Sequence, residues 1–590
     1  MRHFYGKKKT ACKVTTVAEA IEAANSVSNP VAVVILPPAA GDQGVDSDSE
    51  DVPDDLQNEG AYETAGELEV EVEAESESSD SETEEPPIRK KKMEDPGRPR
   101  PWKKTSKFDT YLAFENKPPI REHYPLLSEK SPMELWNLSF NGKMYDVVTE
   151  QTNLYGKCDC NDPGFKTTSE EIKRFLGILL LSGYHSVPHE DHFWSNSPDL
   201  GVRIVTETMS NKRYHTIKKY LHLADNQNLP SGDKVAKVSP LYQLLNDNLV
   251  QFGVWHTDLS IDESMVPYFG RHGIKMFIKG KPIRFGFKLW VLCGADGFPY
   301  CLKIYIGKEN VAVADPLGTR VVEHMVNVIM THSDTRFHNI FFDNFFTSTK
   351  LLETLLERGI RATGTVRDNR IGDAKHHLTS SKALKTKASR SSFEYCCNGK
   401  VYIAKWYDNA VVNVASNCYT HEPVHLVTRR VKGNSQVSVT QPRLVQRYNE
   451  GMGGVDLMDR LLAAYRPTIR GKKWWWPLFL NVVNVSIVAA WRLHCRVAMQ
   501  KMDHLTFLRE VALCLLKAEL AQPRHQLGGG PHTNLPDDVR FDGVGHYRLS
   551  CSQGRCRVCQ ANTRTKCAKC DARLHCDKGT VCFDIYHSRP

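Results

Sequence analysis

Residues 258–267 read Asp-Leu-Ser-Ile-Asp-Glu-Ser-Met-Val-Pro, and residues 338–343 read His-Asn-Ile-Phe-Phe-Asp. The first stretch alternates in polarity and then runs into a turn, as a strand does. The second is a short apolar run, best placed as a buried strand. Between them, Phe287–Gly294 and Tyr300–Ile306 are rich in aromatic and branched residues, and Ala295-Asp296-Gly297 separates them as a hairpin turn signal. Thr319–Met330 predicts an amphipathic helix. Ser348–Arg358 predicts another, stopped by Gly359, and Arg361–Val366 a further strand. The order is strand, strand, strand, helix, strand, helix, strand. An antiparallel meander followed by two crossover units makes a mixed sheet, so the fold class is α/β.

On the C-terminal side, residues 370–440 interrupt this pattern with polar text and further strands at Ser392–Tyr395, Lys400–Trp406 and Val411–Ser416, which read as an inserted β-rich unit. Helical periodicity returns over Gln446–Tyr465. Trp474-Trp475-Trp476 and a helix over Leu478–Cys495 follow, then a linker at 522–535 that contains Gly528-Gly529-Gly530. On the N-terminal side, 108–255 is mainly helical. Ser169-Glu170-Glu171 opens a capped, buried helix, and Met209–Leu223 and Pro240–Phe252 predict two more.

The 590 residues allow two to four domains, and a 41% hydrophobic content supports real cores. The net charge of +8 hides a split. Residues 1–85 hold 5 basic and 21 acidic residues, about −16, which leaves roughly +24 on the rest. Residues 42–85 carry 19 acids, interleaved with serines, and no Lys or Arg. Such a segment buries too little apolar surface to offset the entropy of ordering, so disorder is expected. It is read either as a phosphorylated or DNA-competing tail or as a plain solvated one. A basic cluster follows, Arg89 to Lys92 and then Arg98 to Lys107, which is either a nuclear import signal or a linker touching DNA phosphates. A basic body favours a polyanion partner. The most apolar helical stretch is read at Phe175–Leu181, too short to cross a bilayer, and the N-terminus lacks an apolar signal core. An intracellular protein is expected, whose cysteines stay reduced and cluster for metal rather than disulfides.

Three acids fall at telling places. Asp262 lies within the first strand, Asp343 ends the fourth, and Asp456 lies on a later helix with Asp459 on the same face. Phosphodiester cleavage and transfer commonly use two Mg²⁺ ions about 4 Å apart. These are held by a few carboxylates and retain water. Alone, each Asp is as well read as a turn or cap residue. Beside the first lies a basic strip, Arg271, Lys275, Lys279, Lys281, Arg284 and Lys288, interleaved with Tyr268, Phe269, Phe277, Phe285 and Phe287 and free of acids. The cations suit DNA phosphates, while the aromatics are read as core.

The C-terminus carries Cys556-x2-Cys559, Cys567-x2-Cys570, His575-Cys576 and Cys582-x4-His587 within 32 residues. Thiolates and imidazoles at these spacings suit tetrahedral Zn²⁺, and so short a segment needs such staples to fold. Eight potential ligands imply two interleaved zinc sites, with the choice between the adjacent His575 and Cys576 open. A RING- or PHD-like interaction module is the rival reading of this segment.

The blocks Asp262-Glu263-Ser264-Met265, Arg271-His272-Gly273, Gly280-Lys281-Pro282, Gly286-Phe287-Lys288-Leu289-Trp290, Phe342-Asp343-Asn344-Phe345-Phe346-Thr347-Ser348, Ala362-Thr363-Gly364-Thr365-Val366-Arg367 and Gly453-Gly454-Val455-Asp456-Leu457-Met458-Asp459 resemble the signature blocks of piggyBac-type transposases, including the transposable element-derived proteins of animal genomes. The resemblance covers about 108–590. It implies an RNase H-like catalytic core (256–369 and 441–461) with the β-rich insertion at 370–440. Around the core it implies a helical dimerisation and DNA-binding domain (108–255 and 462–545). A cysteine-rich zinc domain (551–590) and an acidic tail with a basic cluster (1–107) complete the chain. It further implies a nuclear homodimer that binds transposon-end DNA and cuts and pastes at TTAA sites through nicking, hairpin formation, hairpin opening and strand transfer. Asp262, Asp343 and Asp456 take the place of the catalytic, Mg²⁺-holding carboxylates, and Asp459 that of an auxiliary acid. A domesticated DNA-binding protein that keeps the fold without transposing is the alternative.

Overall fold

The computed structural model describes residues 101–588 apart from 110, 113–118, 279–280, 308–314, 334–336, 388–389, 431–435, 519–536 and 577–580, together with the backbone of two earlier strands. The expected disorder of 42–85, most of the basic cluster at 89–107 and the linker at 522–535 fall largely outside these residues.

The two early strands are β1 (Pro30–Ile35) and β2 (Leu68–Val72). The central strands are β3 (Asp258–Pro267), β4 (Lys275–Phe277), β5 (Phe285–Gly294), β6 (Pro299–Ile304), β7 (Asn339–Phe342) and β8 (Arg361–Thr365). The sheet continues into β9 (Phe393–Cys397), β10 (Tyr402–Tyr407) and β11 (Val411–Ser416). β12 (His425–Arg430) and β13 (Gln436–Gln441) form a separate hairpin.

β5 pairs antiparallel with both β3 and β6, β7 runs parallel to β3, and β8 runs parallel to β7. The core order is therefore β6-β5-β3-β7-β8, and counting these five strands by their order in the chain, it reads third, second, first, fourth, fifth. This is the mixed RNase H-like arrangement. Two parallel neighbours each need a crossover, and the helices Leu317–His332 and Thr349–Glu357 supply them. Ser348 caps the second, its side chain accepting from the Leu351 amide, and Gly359 takes a φ of +75° just past its end. At its start β5 also pairs with β4, which in turn pairs with β1. Of the stretch read as an insertion, only β12 and β13 form a sheet of their own: β11 pairs antiparallel with β8, so β9 to β11 lengthen the central sheet.

The chain divides into two compact units. One holds the described residues up to His123, 249–460 and 471–478, with the sheet. The other holds 124–248, 461–470 and 479–590. In the second unit, the helix Ser169–Ser182 starts one residue earlier than expected. Thr168 is its cap, closing a capping box with Glu171. This helix packs on His504–Leu516, close enough that a Cβ on Gly177 would lie 2.9 Å from the Leu516 amide nitrogen.

The apolar maximum is not where the sequence reading put it. The helix Trp476–Val497 has 22 residues and is long and apolar enough to cross a membrane by length and composition. Its side chains are spent on packing instead: Leu478, Phe479, Val482, Val483, Val485 and Val488 are all fully buried. The periodic stretch Gln446–Tyr465 proves to be two helices, Arg443–Gly451 and Gly454–Ala464, broken at Met452-Gly453.

Candidate carboxylate site and cysteine–histidine centres

The strand β3 presents Ser260, Asp262 and Ser264 on one face, because side chains alternate along a strand. The helix Gly454–Ala464 lies along that face. Its second amide, Val455, donates to Ser260 Oγ at 3.2 Å, and Ser264 Oγ donates to Asp459 Oδ1 at 2.6 Å. Asp262 sits between these two anchors, facing the first helical turn, which carries Asp456. Gly454 permits this approach: a Cβ there would lie 2.5 Å from the Gly294 carbonyl oxygen and 2.6 Å from Ser260 Oγ. Upstream, Arg447 grips both oxygens of Asp258 at 2.8 Å, fixing the preceding helix to the start of β3.

Asp343 arrives from the neighbouring strand. The parallel register pairs Ile261 with Phe342, so the next residues along, Asp262 and Asp343, leave adjacent strands side by side. The Phe345 amide donates to Asp343 Oδ1 at 2.9 Å and holds the carboxylate. Burial, then the neighbouring Glu263, pushes Asp262 up to about 8, and Asp343 adds to the push. Asp343 is likewise raised, chiefly by burial. The tyrosine Tyr448 feels Asp343, Asp262 and Asp456 together. Three acids separated by 194 positions, from 262 to 456, thus share one electrostatic locality.

Residues able to hold a divalent cation are therefore present: hard oxygen donors crowded so that like charge is costly, which is what such an ion relieves. Among the described residues, no three of these carboxylates bring their oxygens within 4.8 Å of one another. The donor set suits ions that keep several waters, not a closed all-protein cage.

The basic strip divides into two kinds. Arg271 and Arg284 are exposed, and Lys275 is half-buried. Lys279 falls outside the described residues. Lys281 and Lys288 instead turn to Glu263, at 3.2 and 4.0 Å. Lys288 is also stacked over Trp290, 3.9 Å from the ring centre, with its side chain only 12% exposed. Sequence reasoning quoted Glu263 in a motif but gave it no role, and the structure makes it the anchor of two cations. Burial pushes Glu263 upward, but Lys288 and Lys281 outweigh it and hold its carboxyl below its ordinary value. Of the tryptophan run, Trp475 and Trp476 are buried, and Trp474 stacks on His272 at 4.0 Å.

The cysteine-rich end, built on the hairpin β14 (Arg548–Arg555) and β15 (Asn562–Cys567), gathers two sets of four ligands, each within 4.8 Å. One is Cys556, Cys559, His575 and Cys582. The other is His546, Cys567, Cys570 and His587. The sets alternate along the chain, as expected of interleaved sites. Cys559 Sγ lies 3.2 Å from His575 Nδ1, and Cys570 Sγ lies 3.4 Å from both His546 Nδ1 and His587 Nε2. Sulfur and nitrogen on one tetrahedral zinc lie roughly 3.5 Å apart. Each imidazole also places its other nitrogen on an oxygen: His546 on Asp542 at 3.1 Å, His575 on the Asn562 carbonyl at 3.0 Å, His587 on the Phe583 carbonyl at 2.8 Å. That outer contact fixes the ring and its tautomer for ligation. Burial pushes the Cys556 thiol up, yet the amides of Cys559 and Val558 and the neighbouring His575 outweigh it and bring it down to about 6. A thiol so placed yields its proton readily to a metal.

Two corrections follow. Cys576 belongs to neither set: its Sγ donates to the Leu574 carbonyl at 3.5 Å. Adjacent residues on an extended chain point to opposite sides, so only one of His575 and Cys576 can face the site. The missing eighth ligand is His546, five residues before the expected domain start at 551. The arithmetic held the clue, since eight candidates that include an adjacent pair leave only seven usable ones.

Comparisons with known proteins identify the family and the fold. Residues 131–491 match the family model described as Transposase IS4. The chain is 36% identical over 494 residues to human PiggyBac transposable element-derived protein 3, covering 82% of this chain and 81% of that protein. It is 34% identical over 472 residues to human PiggyBac transposable element-derived protein 2, covering 78% and 77%. Its fold is similar to a chain in the cryo-EM structure of a piggyBac transposase synaptic complex with hairpin DNA, at a TM-score of 0.58 and 19% identity, covering 77% of this chain and 100% of that one. With a family model spanning more than half its length, two relatives covered over most of theirs, and a sheet of RNase H-like order, this chain belongs to the piggyBac-type transposase family.

Proposed function

We propose that this protein is a nuclear, divalent metal-dependent DNA transposase that acts as a homodimer on transposon ends and TTAA targets. The observation that carries the reading is the placement of Asp262 between the two hydrogen bonds that pin the Asp456 helix to β3, with Asp343 beside it on the adjacent strand. Mg²⁺, when bound there, would activate the attacking oxygen and stabilise the leaving one. Asp262 and Asp343, from two neighbouring strands, would hold the ions, and Asp456, from the helix, would complete the set. Asp459 acts through Ser264, keeping the helix in register with the strand. Arg271, exposed before β4, and Arg284, exposed between β4 and β5, bind the DNA backbone. In the reaction, an oxygen of water or of a DNA 3′-hydroxyl attacks phosphorus, and the opposite 3′-oxygen leaves with the bonding pair. The Cys/His sets hold two structural zinc ions, and their module contributes to recognising end DNA.

A second reading is a domesticated DNA-binding protein that keeps the fold but does not transpose. It is favoured by the names of its relatives, which are called element-derived proteins. One experiment separates the two. Purified protein is incubated with a TTAA-flanked end and Mg²⁺, with EDTA controls. Metal-dependent nicking that Asp262→Asn and Asp343→Asn abolish, with end binding retained, supports the first reading. End binding without nicking supports the second, and nicking that survives both substitutions removes the carboxylate assignment.

A further inference from the structure

The Cys/His module touches the helices of its own unit through one short segment. The helix Asp537–Arg540 has four residues, far too few to persist alone. It is held from two sides. On one side Asp538 Oδ2 accepts at 3.1 Å from the amide of Ser210, the residue that caps the helix Asn211–Tyr220. Ser210 is 3% exposed and Val539 is fully buried, so this contact is dry. Further along, Gly545 lies against Asn196: a Cβ there would stand 3.0 Å from Asn196 Oδ1.

On the other side the segment is tied to the second set of candidate zinc ligands. The His546 ring turns Nδ1 toward Cys567 Sγ and Cys570 Sγ, 3.4 Å from each. It turns Nε2 toward the Val539 carbonyl at 3.2 Å and Asp542 Oδ1 at 3.1 Å. Lys569, between those two cysteines, donates to Asp542 and to the Val544 carbonyl. Arg540 Nε donates at 2.7 Å to the carbonyl of Tyr586, the residue before His587. The first set, Cys556, Cys559, His575 and Cys582, takes no ligand from this segment.

We infer that residues 537–546 are a latch closed by zinc at the second set: the His546 imidazole, ligating through Nδ1, holds Val539 through Nε2 and so keeps Asp538 on Ser210 and the module on the helices. This rests on the zinc reading of His546, Cys567, Cys570 and His587. A neutral imidazole carries one proton. With Nδ1 on zinc, that proton is fixed on Nε2, which can then only donate, and its acceptors are the Val539 carbonyl and Asp542. Without zinc the proton sits on either nitrogen and the ring turns, so the short helix loses its assured donor. Loading of the second set therefore decides more than the fold of the module. It decides whether the module proposed to read end DNA rests against residues 196–210 or leaves them.

The test uses the full chain loaded with zinc, without DNA. Hydrogen–deuterium exchange is followed by mass spectrometry over 193–200 and 203–213, and zinc is counted by atomic absorption. The buried helix at 169–182 reports that the helical unit stays folded. Asp538→Ala should keep two zinc ions and exchange about tenfold faster in both segments. His546→Ala should keep one zinc ion and exchange as fast. His546→Cys is the sharpest variant, because a thiolate restores a ligand but offers no second nitrogen to Val539. It should hold two zinc ions and still exchange faster in both segments. Natural protection in His546→Cys would overturn the link through the imidazole. Faster exchange at 203–213 alone in Asp538→Ala would show the loss of one hydrogen bond and overturn the latch. A natural protein that binds no zinc yet is protected in both segments would overturn the zinc reading together with the coupling.

Discussion

Substituting Gly454 by alanine tests whether the geometry over β3 matters to the chemistry. The new Cβ would sit 2.5 Å from the Gly294 carbonyl oxygen and 2.6 Å from Ser260 Oγ. The serine can rotate away, but the carbonyl is main chain, accepts from the Gly297 amide at 2.9 Å in the β5–β6 turn, and cannot. Reaching an ordinary contact of roughly 3.4 Å requires the helix start to retreat by about 0.9 Å. That retreat stretches the 3.2 Å bond from the Val455 amide to Ser260 beyond hydrogen-bonding range. Overpacking of this kind costs about 1–3 kcal/mol in stability. Asp456, two residues further on, moves with the helix, and misplacement of about 1 Å can lower the rate of a positioned reaction roughly 100-fold. The neighbouring Gly453 is the matched control, because a Cβ there meets nothing within 4 Å. Single-turnover nicking and thermal unfolding are measured on both variants. We expect Gly454→Ala to stay folded, to unfold at a lower temperature and to nick about 100-fold more slowly with end binding unchanged, while Gly453→Ala keeps natural values. Equal rates for the two variants would refute the argument that this contact sets the catalytic geometry.

The zinc count provides a second test: atomic absorption should find two zinc ions per chain in the natural protein, one in His546→Ala and two in Cys576→Ser. Acid stability provides a third. Burial depresses His504 to about 4, and its ring stacks on Trp491 at 4.5 Å. Above its ordinary value near 6.5 both folded and unfolded forms are neutral, so the group adds no pH dependence there. As pH falls from 6.5 toward 4 the unfolded chain takes the proton and the folded one does not, so stability drops by about 3 kcal/mol over that window. Denaturant titrations at pH 7 and pH 4.5 should show this loss, and His504→Phe, which keeps the stack, should remove most of it. The exposed arginines provide a fourth: Arg284→Gln should weaken end binding and lower the slope of log affinity against log salt by about 1, measured by fluorescence anisotropy.

The parts of the fold legible in the sequence are those governed by local rules. Strand alternation at 258–267, the Ala295-Asp296-Gly297 turn, with Gly297 at a φ of +85°, and the stop at Gly359 all depend on a few neighbouring residues. The strand order was also within reach, because a meander followed by two right-handed crossovers leaves few arrangements. What was hidden depends on tertiary pairing. Nothing within 392–416 says that β11 will meet β8, since an antiparallel edge accepts either a new sheet or an old one. The apolar length of Trp476–Val497 was passed over because its Asn, Ser and Arg residues break up the run. Only packing shows that Asn484 is satisfied inside, donating to the Leu462 carbonyl at 2.8 Å.

The two candidate metal systems differed in legibility for the same reason. Zinc ligands lie within 42 residues, from His546 to His587, and spacing nearly specifies them. The two corrections came from a ligand contributed ahead of the cysteine-rich text and from an adjacent pair that chain geometry cannot use twice. The carboxylates are set by topology: a strand, its parallel neighbour and a helix laid across both. Sequence can place each acid at the end of an element, but it cannot tell which cation each acid will meet. That is why six lysines and arginines looked equivalent. The pairing of Glu263 with Lys281 and Lys288 depends on the path of the β4–β5 arm across the strand. Glu263 stays close enough to Asp262 to push its carboxyl up, while drawing Lys281 and Lys288 to itself. The neighbouring carboxylates of the Asp262-Glu263 pair therefore differ in their surroundings: burial and Glu263 push Asp262 up, while Lys288 and Lys281 hold Glu263 down.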